Sequence, residues 1–245
     1  DLMEEYEAYL KGCVVSLNTV SFYNRILRAA YNRAVEKGLT PQRHPFRNVY
    51  TGMEKTVKRA IPFEAVRRIK GLDLSLKPAP DFARDMFLFS FYTRGMSFVD
   101  MAYLRKSDLK NGILSYRRKK TGQQLHIRWE RCMGEIVEKH PNVTTEYLLP
   151  VITDPTASER RQYENALHLV NRKLKKVAEM AGISVPLTMY VARHAWASIA
   201  KSKNIPLSVI SEGMGHDSET TTQIYLASLD TSVIDEANGR ILNDL

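Results

Sequence analysis

Tyr225 stands nine residues after His216, with Gly213 and Gly215 just before the histidine and Thr220, Thr221 and Thr222 in between. The glycines permit a tight turn, and Asp217 and Ser218 offer a helix cap. The threonines suit a helix start better than a helix centre. That puts Tyr225 on a short helix, where a tyrosine is ordinarily core, although its hydroxyl is also a nucleophile. Upstream, Arg193 lies in the first turns of an apolar helix with Ala192, Ala195, Trp196 and Ile199 around it. No carboxylate occurs between Glu179 and Glu212. Such an arginine snorkels or pairs with a distant acid, or it binds an anion through its planar fork. Between Arg105 and Arg131 there are nine Lys/Arg and two acidic residues. Arg117, Arg118, Lys119 and Lys120 precede a Thr-Gly turn and are expected to project together. They form either a solvated hairpin or a row of phosphate contacts, in which each cation displaces a counterion. A lysine at such a tip also has a proton to give to a leaving oxygen.

Three kinds of element must position these groups. The first segment reads as helices: Tyr6, Tyr9 and Leu10 share a face. Asn18 and Thr19 offer a cap before a run in which Tyr23, Ile26, Leu27, Ala30, Tyr31 and Ala34 recur at helical spacing, and Gly38 is the stop. A turn-rich stretch follows, and a domain boundary is expected near Lys58. Beyond it, residues 62–72 and the apolar run 81–104 read as helices. Residues 111–129 contain Asn-Gly, alternating residues, Thr-Gly and alternation again, the pattern of strands and a hairpin. From Arg160 onward the pattern is helical, interrupted at Pro186. The expectation is a mainly α protein with a small antiparallel sheet.

The 245 residues suffice for one large domain or two ordinary ones. The net charge of +9 favours an anionic partner, with nucleic acid first. Both sides of the Lys58 boundary carry a cationic surplus, which suits a clamp. Cys13 and Cys132 have no metal-ligand spacing and read as reduced thiols of a cytoplasmic, nucleoid-associated protein. No apolar window reaches membrane-spanning length, and the acidic start is not a signal peptide. The missing initiator Met points to a fragment.

The combination resembles the tyrosine recombinases, also called phage integrases, over nearly the whole chain. The run Ala192-Arg193-His194-Ala195-Trp196-Ala197 looks like that family's second arginine box. Gly215-His216 through the threonines to Tyr225 looks like its last box, and Lys120 before Thr121 looks like its hairpin lysine. The resemblance implies a helical core-DNA-binding domain over residues 1–58 and a mixed α/β catalytic domain with a small antiparallel sheet over 59–245, without an arm-binding domain. It implies that Tyr225 attacks the scissile phosphate, forming a 3′-phosphotyrosine and expelling a 5′-hydroxyl. Arg193 would hold the phosphate, Lys120 would be the general acid, and His216 would donate to a nonbridging oxygen. No metal, ATP or other cofactor is implied. The partners implied are double-stranded DNA recombination sites, bound by a tetramer, with accessory DNA-bending proteins. A C-terminal tail bearing Val233, Ile234, Ala237 and Ile241 would pack on a neighbouring protomer or on its own domain.

Two departures stand out. Tyr190 occupies the place where the family carries His or Lys, and a phenol is a poor base near neutral pH. In the first arginine box, aligning Gly95, Met96 and Asp100 puts Ser97 where the arginine belongs. If residues 94–97 are helical, Arg94 lies on the same face about 4.5 Å away along the axis and supplies the charge. Asp100 falls where the family has an acidic orienting residue. The wording resembles integrases of conjugative transposons. The alternatives are a DNA-binding accessory protein that has lost catalysis, given Ser97 and Tyr190, and a type IB topoisomerase.

Overall fold

The computed structural model describes residues 2–54 and 60–226. The boundary residue Lys58 and the tail residues Val233, Ile234, Ala237 and Ile241 lie outside the described residues. The chain forms two compact units, Asp1–Val57 and Lys58–Leu245.

The first unit holds helices α1 (Leu2–Gly12) and α2 (Leu17–Glu36). The cap of α2 is Ser16, whose hydroxyl accepts from the Thr19 amide, and not Asn18 or Thr19. Asn18 instead pairs with the backbone of Glu54 through both its amide groups. Ser21 donates to Gly52 O, and Asn24 to Tyr50 O. The face of α2 that turns inward is therefore Val20, Ser21 and Asn24, which satisfies the extended backbone of residues 50–54. Tyr23, Ile26 and Leu27, the stripe marked by its apolar spacing, lie on the exposed side. Backbone hydrogen bonding, rather than apolar burial, sets the rotation of this helix.

In the second unit, helix α3 (Phe63–Lys70) precedes α4 (Pro78–Tyr92), whose second half is apolar on nearly every side and so takes the centre. Ala83, Met86, Phe87 and Phe89 of α4 are fully buried. They share one core with Val170, Leu174 and Val177 of α7 (Glu159–Met180) and with Val191, Ala192 and Ala195 of α8 (Met189–Ser202). Short helix α5 (Phe98–Ala102) leads to a three-stranded antiparallel sheet. Its strands are β1 (Leu109–Lys110), β2 (Ile113–Arg117) and β3 (Gln124–Arg128), in the order β1-β2-β3. Leu114 and Tyr116 pair with Ile127 and Leu125 and face the core, while Ser115 and His126 face outward. Asn111 and Gly112, both at positive φ, make the β1-β2 turn. Helix α6 (Arg131–Lys139) follows. Helices α9 (Leu207–Met214) and α10 (Glu219–Leu226) close the described chain, with Ala197, Ala200, Ile210, Met214 and Leu226 forming a second small core. No helix among the described residues is long and apolar enough to cross a membrane.

A buried ion network ties α4 to α6. Asp85 accepts from Arg84, Lys139 and His140 at 2.8 Å each, and Asp81 pairs with Arg84 and Lys139. Asp81, Asp85 and His140 bring three potential metal ligands together, a grouping not evident from spacing, but Arg84 and Lys139 already neutralise both carboxylates. Burial would raise the Asp85 pKa. The hydrogen bonds from His140, Arg84 and Lys139 outweigh it and hold the group at about 2. A folded pKa below the unfolded value means that the contribution is complete above about pH 4 and is lost as pH falls toward 2. Asp85→Asn is therefore expected to lower the stability of the second unit by about 2 kcal/mol at pH 7, with the difference from wild type shrinking below pH 4 in denaturant titrations.

Candidate active site

The end of α9 sets the frame. Gly215 is left-handed at φ +62° and donates to Glu212 O, while the His216 amide donates to Ser211 O. These two bonds make a Schellman closure, which requires the glycine and aims the next residue back across the helix end. Gly213 is small because a Cβ there would lie 3.2 Å from the Trp196 ring. The closure leaves the carbonyls of Met214 and Gly215 as the negative end of α9.

Two guanidinium groups take those carbonyls. Arg193, buried in the second turn of α8, donates to Met214 O at 2.7 Å and to Gly95 O at 2.9 Å. Arg118, just past the end of β2, is 6% exposed and donates to Gly215 O. Its Nε lies 4.0 Å from Asp100 Oδ2 and is buried without a hydrogen-bond partner among the described residues. Arg118 is thus not a solvent-facing member of the basic tip but an inward one. Its inward turn follows the strand parity of Leu114 and Tyr116, a signal the alternation already carried.

Asp100 organises the other side. Ser97 caps α5 by accepting from the Asp100 amide at 3.3 Å, and its hydroxyl donates to Asp100 Oδ2 at 2.6 Å. Asp100 Oδ1 accepts from the Lys119 backbone amide at 2.8 Å, so the carboxylate fastens the hairpin. Residues 94–97 are not helical. Arg94 and Gly95 form a left-handed turn at φ +60° and +75°, which removes the helical-face relation between Arg94 and Ser97. Arg94 runs past α9, its Cδ 3.6 Å from the position a Gly213 Cβ would take.

His216 is half-buried, its Nδ1 2.7 Å from Thr222 Oγ1. Burial lowers the imidazole pKa most, the Arg193 and Arg118 guanidiniums lower it further, Asp217 opposes them and Lys120 assists, leaving it at about 4. The ring is therefore neutral at physiological pH. Lys120 is exposed on the hairpin loop, close enough to act on His216. The remaining tip cations are dispersed. Arg117 donates to Gly122 O, and the Lys119 ammonium sits 3.2 Å over the Tyr103 ring. Arg105 pairs with Glu146 at 3.2 Å. Tyr190 is 60% exposed and stands edge-on against His194, ring centres 4.4 Å apart. The backbone of Tyr225 belongs to α10, and its side chain lies outside the described residues. Two buried guanidiniums beside a neutral imidazole, with an ammonium at the rim, make a receptor for a tetrahedral anion whose charge is shared over several oxygens.

Comparison with known proteins matches residues 75–232 to the phage integrase family. The tyrosine recombinase XerA of Thermococcus onnurineus (strain NA1) is 27% identical over 179 residues, covering 70% of this chain and 58% of that protein. The chain thus spans less than two thirds of that relative's length. Among solved structures, the XerH site-specific recombinase bound to palindromic difH substrate in a post-cleavage complex superimposes with a TM-score of 0.72. It is 17% identical, with coverage of 97% of this chain and 70% of that one. The Tn1549 transposon integrase in complex with transposon right-end DNA gives a TM-score of 0.68 at 16% identity, with coverage of 98% and 84%.

Proposed function

Because this chain belongs to the phage integrase family, we propose that it is a site-specific DNA strand transferase acting through a 3′-phosphotyrosine. Tyr225 attacks the scissile phosphorus. The bond from the tyrosine oxygen to phosphorus forms, the bond to the 5′-oxygen breaks, and Lys120 protonates the departing oxygen. Arg193 and Arg118 neutralise the nonbridging oxygens, and His216 donates to one of them. Asp100 positions the hairpin that carries Arg118 and Lys120. The ester stores the energy of the broken bond, so rejoining needs no nucleotide. The observation that carries this reading is the pair of buried guanidiniums on consecutive carbonyls beside a neutral histidine, one of them with a buried N–H that meets no acceptor among the described residues.

The phosphate charge falls to Arg118 rather than Arg94, and Ser97 serves as a cap. The first unit binds core DNA, and Arg117, Lys119 and Arg105 contact backbone phosphates when DNA displaces their present intramolecular partners. The substrates are double-stranded recombination sites of a mobile element, joined in a tetramer and assisted by DNA-bending proteins. The DNA complexes of the structural relatives support this assignment. The competing reading, a binding protein without catalysis, rests on Ser97 and Tyr190.

Leaving-group substitution separates the two. On a duplex from the element ends, Lys120→Ala is expected to form adduct about a hundredfold more slowly than wild type. With sulfur replacing the 5′-bridging oxygen, which leaves without a proton, the variant recovers to near the wild-type rate. A binding-only protein forms adduct with neither substrate. Equal slowing of both substrates removes Lys120 from the acid role.

A further inference from the structure

The three consecutive threonines do not share one environment. Thr220 and Thr221 are exposed, whereas Thr222 is fully buried, its Oγ1 2.7 Å from His216 Nδ1. We propose that Thr222 is a positioning residue that fixes the tautomer of His216, donating its hydroxyl proton to Nδ1 so that the ring carries its own proton on Nε2. This inference rests on the strand-transfer reading for its consequence, because an Nε2–H is then the donor offered to the phosphate.

A threonine hydroxyl has one proton to give, and within a helix it ordinarily gives it to the carbonyl one turn back. Thr93 does so, donating to Phe89 O at 2.7 Å. Thr222 makes no such bond: among the described residues its hydroxyl meets His216 Nδ1 alone. If Nδ1 carried the proton, the ring would donate to Oγ1, and the hydroxyl hydrogen would be left in a fully buried site without an acceptor. Leaving a buried donor unmade disfavours that arrangement by about tenfold or more. If both nitrogens were protonated, the same orphan would remain and a cation would be added beside Arg193, Arg118 and Lys120, against the opposing charge of Asp217. Among the described residues, the arrangement with Nδ1 as acceptor is the one that leaves the Thr222 hydroxyl proton paired. It also accounts for a threonine at this position, since valine has the shape and serine the hydroxyl, and threonine alone has both.

The test is the long-range proton–nitrogen spectrum of the full chain with labelled histidine, His216 being assigned by its loss in His216→Asn. The wild type is expected to show the Nε2–H tautomer without DNA. Thr222→Val is expected to show mixed tautomers and about tenfold slower adduct formation, and Thr222→Ser to retain the wild-type tautomer and rate. A wild-type proton on Nδ1 overturns the proposal, as does a Thr222→Val protein with an unchanged spectrum and rate. If Thr222→Val does not fold, the wild-type and Thr222→Ser spectra still decide. The spectrum is read without substrate, so a wild type that never cleaves DNA counts against strand transfer and leaves the tautomer result intact.

Discussion

Arg118→Ala is expected to slow covalent adduct formation about a thousandfold, whereas Arg94→Ala slows it less than tenfold. Both arginines stand near the place left open by Ser97, so charge alone does not choose between them. Burial and geometry do. Arg118 is held by Gly215 O and faces Asp100, with an N–H buried and without an acceptor among the described residues. A guanidinium in that setting needs little reorganisation to meet a developing phosphate charge, and the dry surroundings strengthen the interaction. Arg94 is only partly buried and forms no hydrogen bond or ion pair among the described residues. It leaves a left-handed turn, so its flexible stem must be ordered on binding. Arg118→Lys keeps the charge but loses the fork and is expected to fall between wild type and Arg118→Ala. The measurement is single-turnover adduct formation at saturating protein, with gel-shift binding as the control. Retained binding in Arg118→Ala separates a catalytic loss from a binding loss. A thousandfold loss in Arg94→Ala with little effect at Arg118 assigns the charge to Arg94 instead.

Gly95→Ala is expected to remove adduct formation to the same extent as Arg193→Ala and to lower the stability of the second unit by about 3 kcal/mol. Gly95 is at φ +75°, and a Cβ there would lie 2.7 Å from Arg193 Cα and 2.9 Å from its Cγ. The obstruction is backbone as well as side chain, so the turn or α8 must move, and Gly95 O then no longer fits the Arg193 fork. Gly182, at φ +64° with nothing within 4 Å of its would-be Cβ, provides the control. Gly182→Ala carries the strain of the left-handed backbone without the collision. It is expected to cost about 1 kcal/mol and to leave cleavage unchanged. Denaturant titration and adduct rates of the two variants isolate the contact. Equal effects at both positions contradict it.

Much of this arrangement was legible in the residues. The Asn-Gly and Thr-Gly turns with alternation between them specify the hairpin, and the apolar second half of α4 specifies the central helix. The grouping of Arg193, His216 and Lys120 came from resemblance, since residues this far apart meet only through the packing of α8 and α9 and the reach of the hairpin loop. Four basic residues in a row suggest solvent for Arg118, although strand parity puts it with Leu114 and Tyr116. The relation between Arg94 and Ser97 depended on helical geometry at 94–97, and a left-handed turn at Arg94 and Gly95 takes its place and frees Gly95 O to receive Arg193. The apolar stripe of α2 was misleading for a different reason: in a small unit, the unmet hydrogen bonds of residues 50–54 outweighed apolar spacing in choosing the inward face.

Strand transfer to Tyr225 is the reaction proposed for this site. Its most direct test is covalent trapping on a nicked suicide duplex built from the ends of the element, with wild type beside Tyr225→Phe, in chelator and without nucleotide. The account predicts a protein–DNA adduct on the 3′-phosphate side for wild type, mapped by peptide mass to Tyr225, and none for Tyr225→Phe at equal binding. An adduct that persists in Tyr225→Phe, or wild-type protein that binds the duplex and leaves it unbroken, contradicts the account.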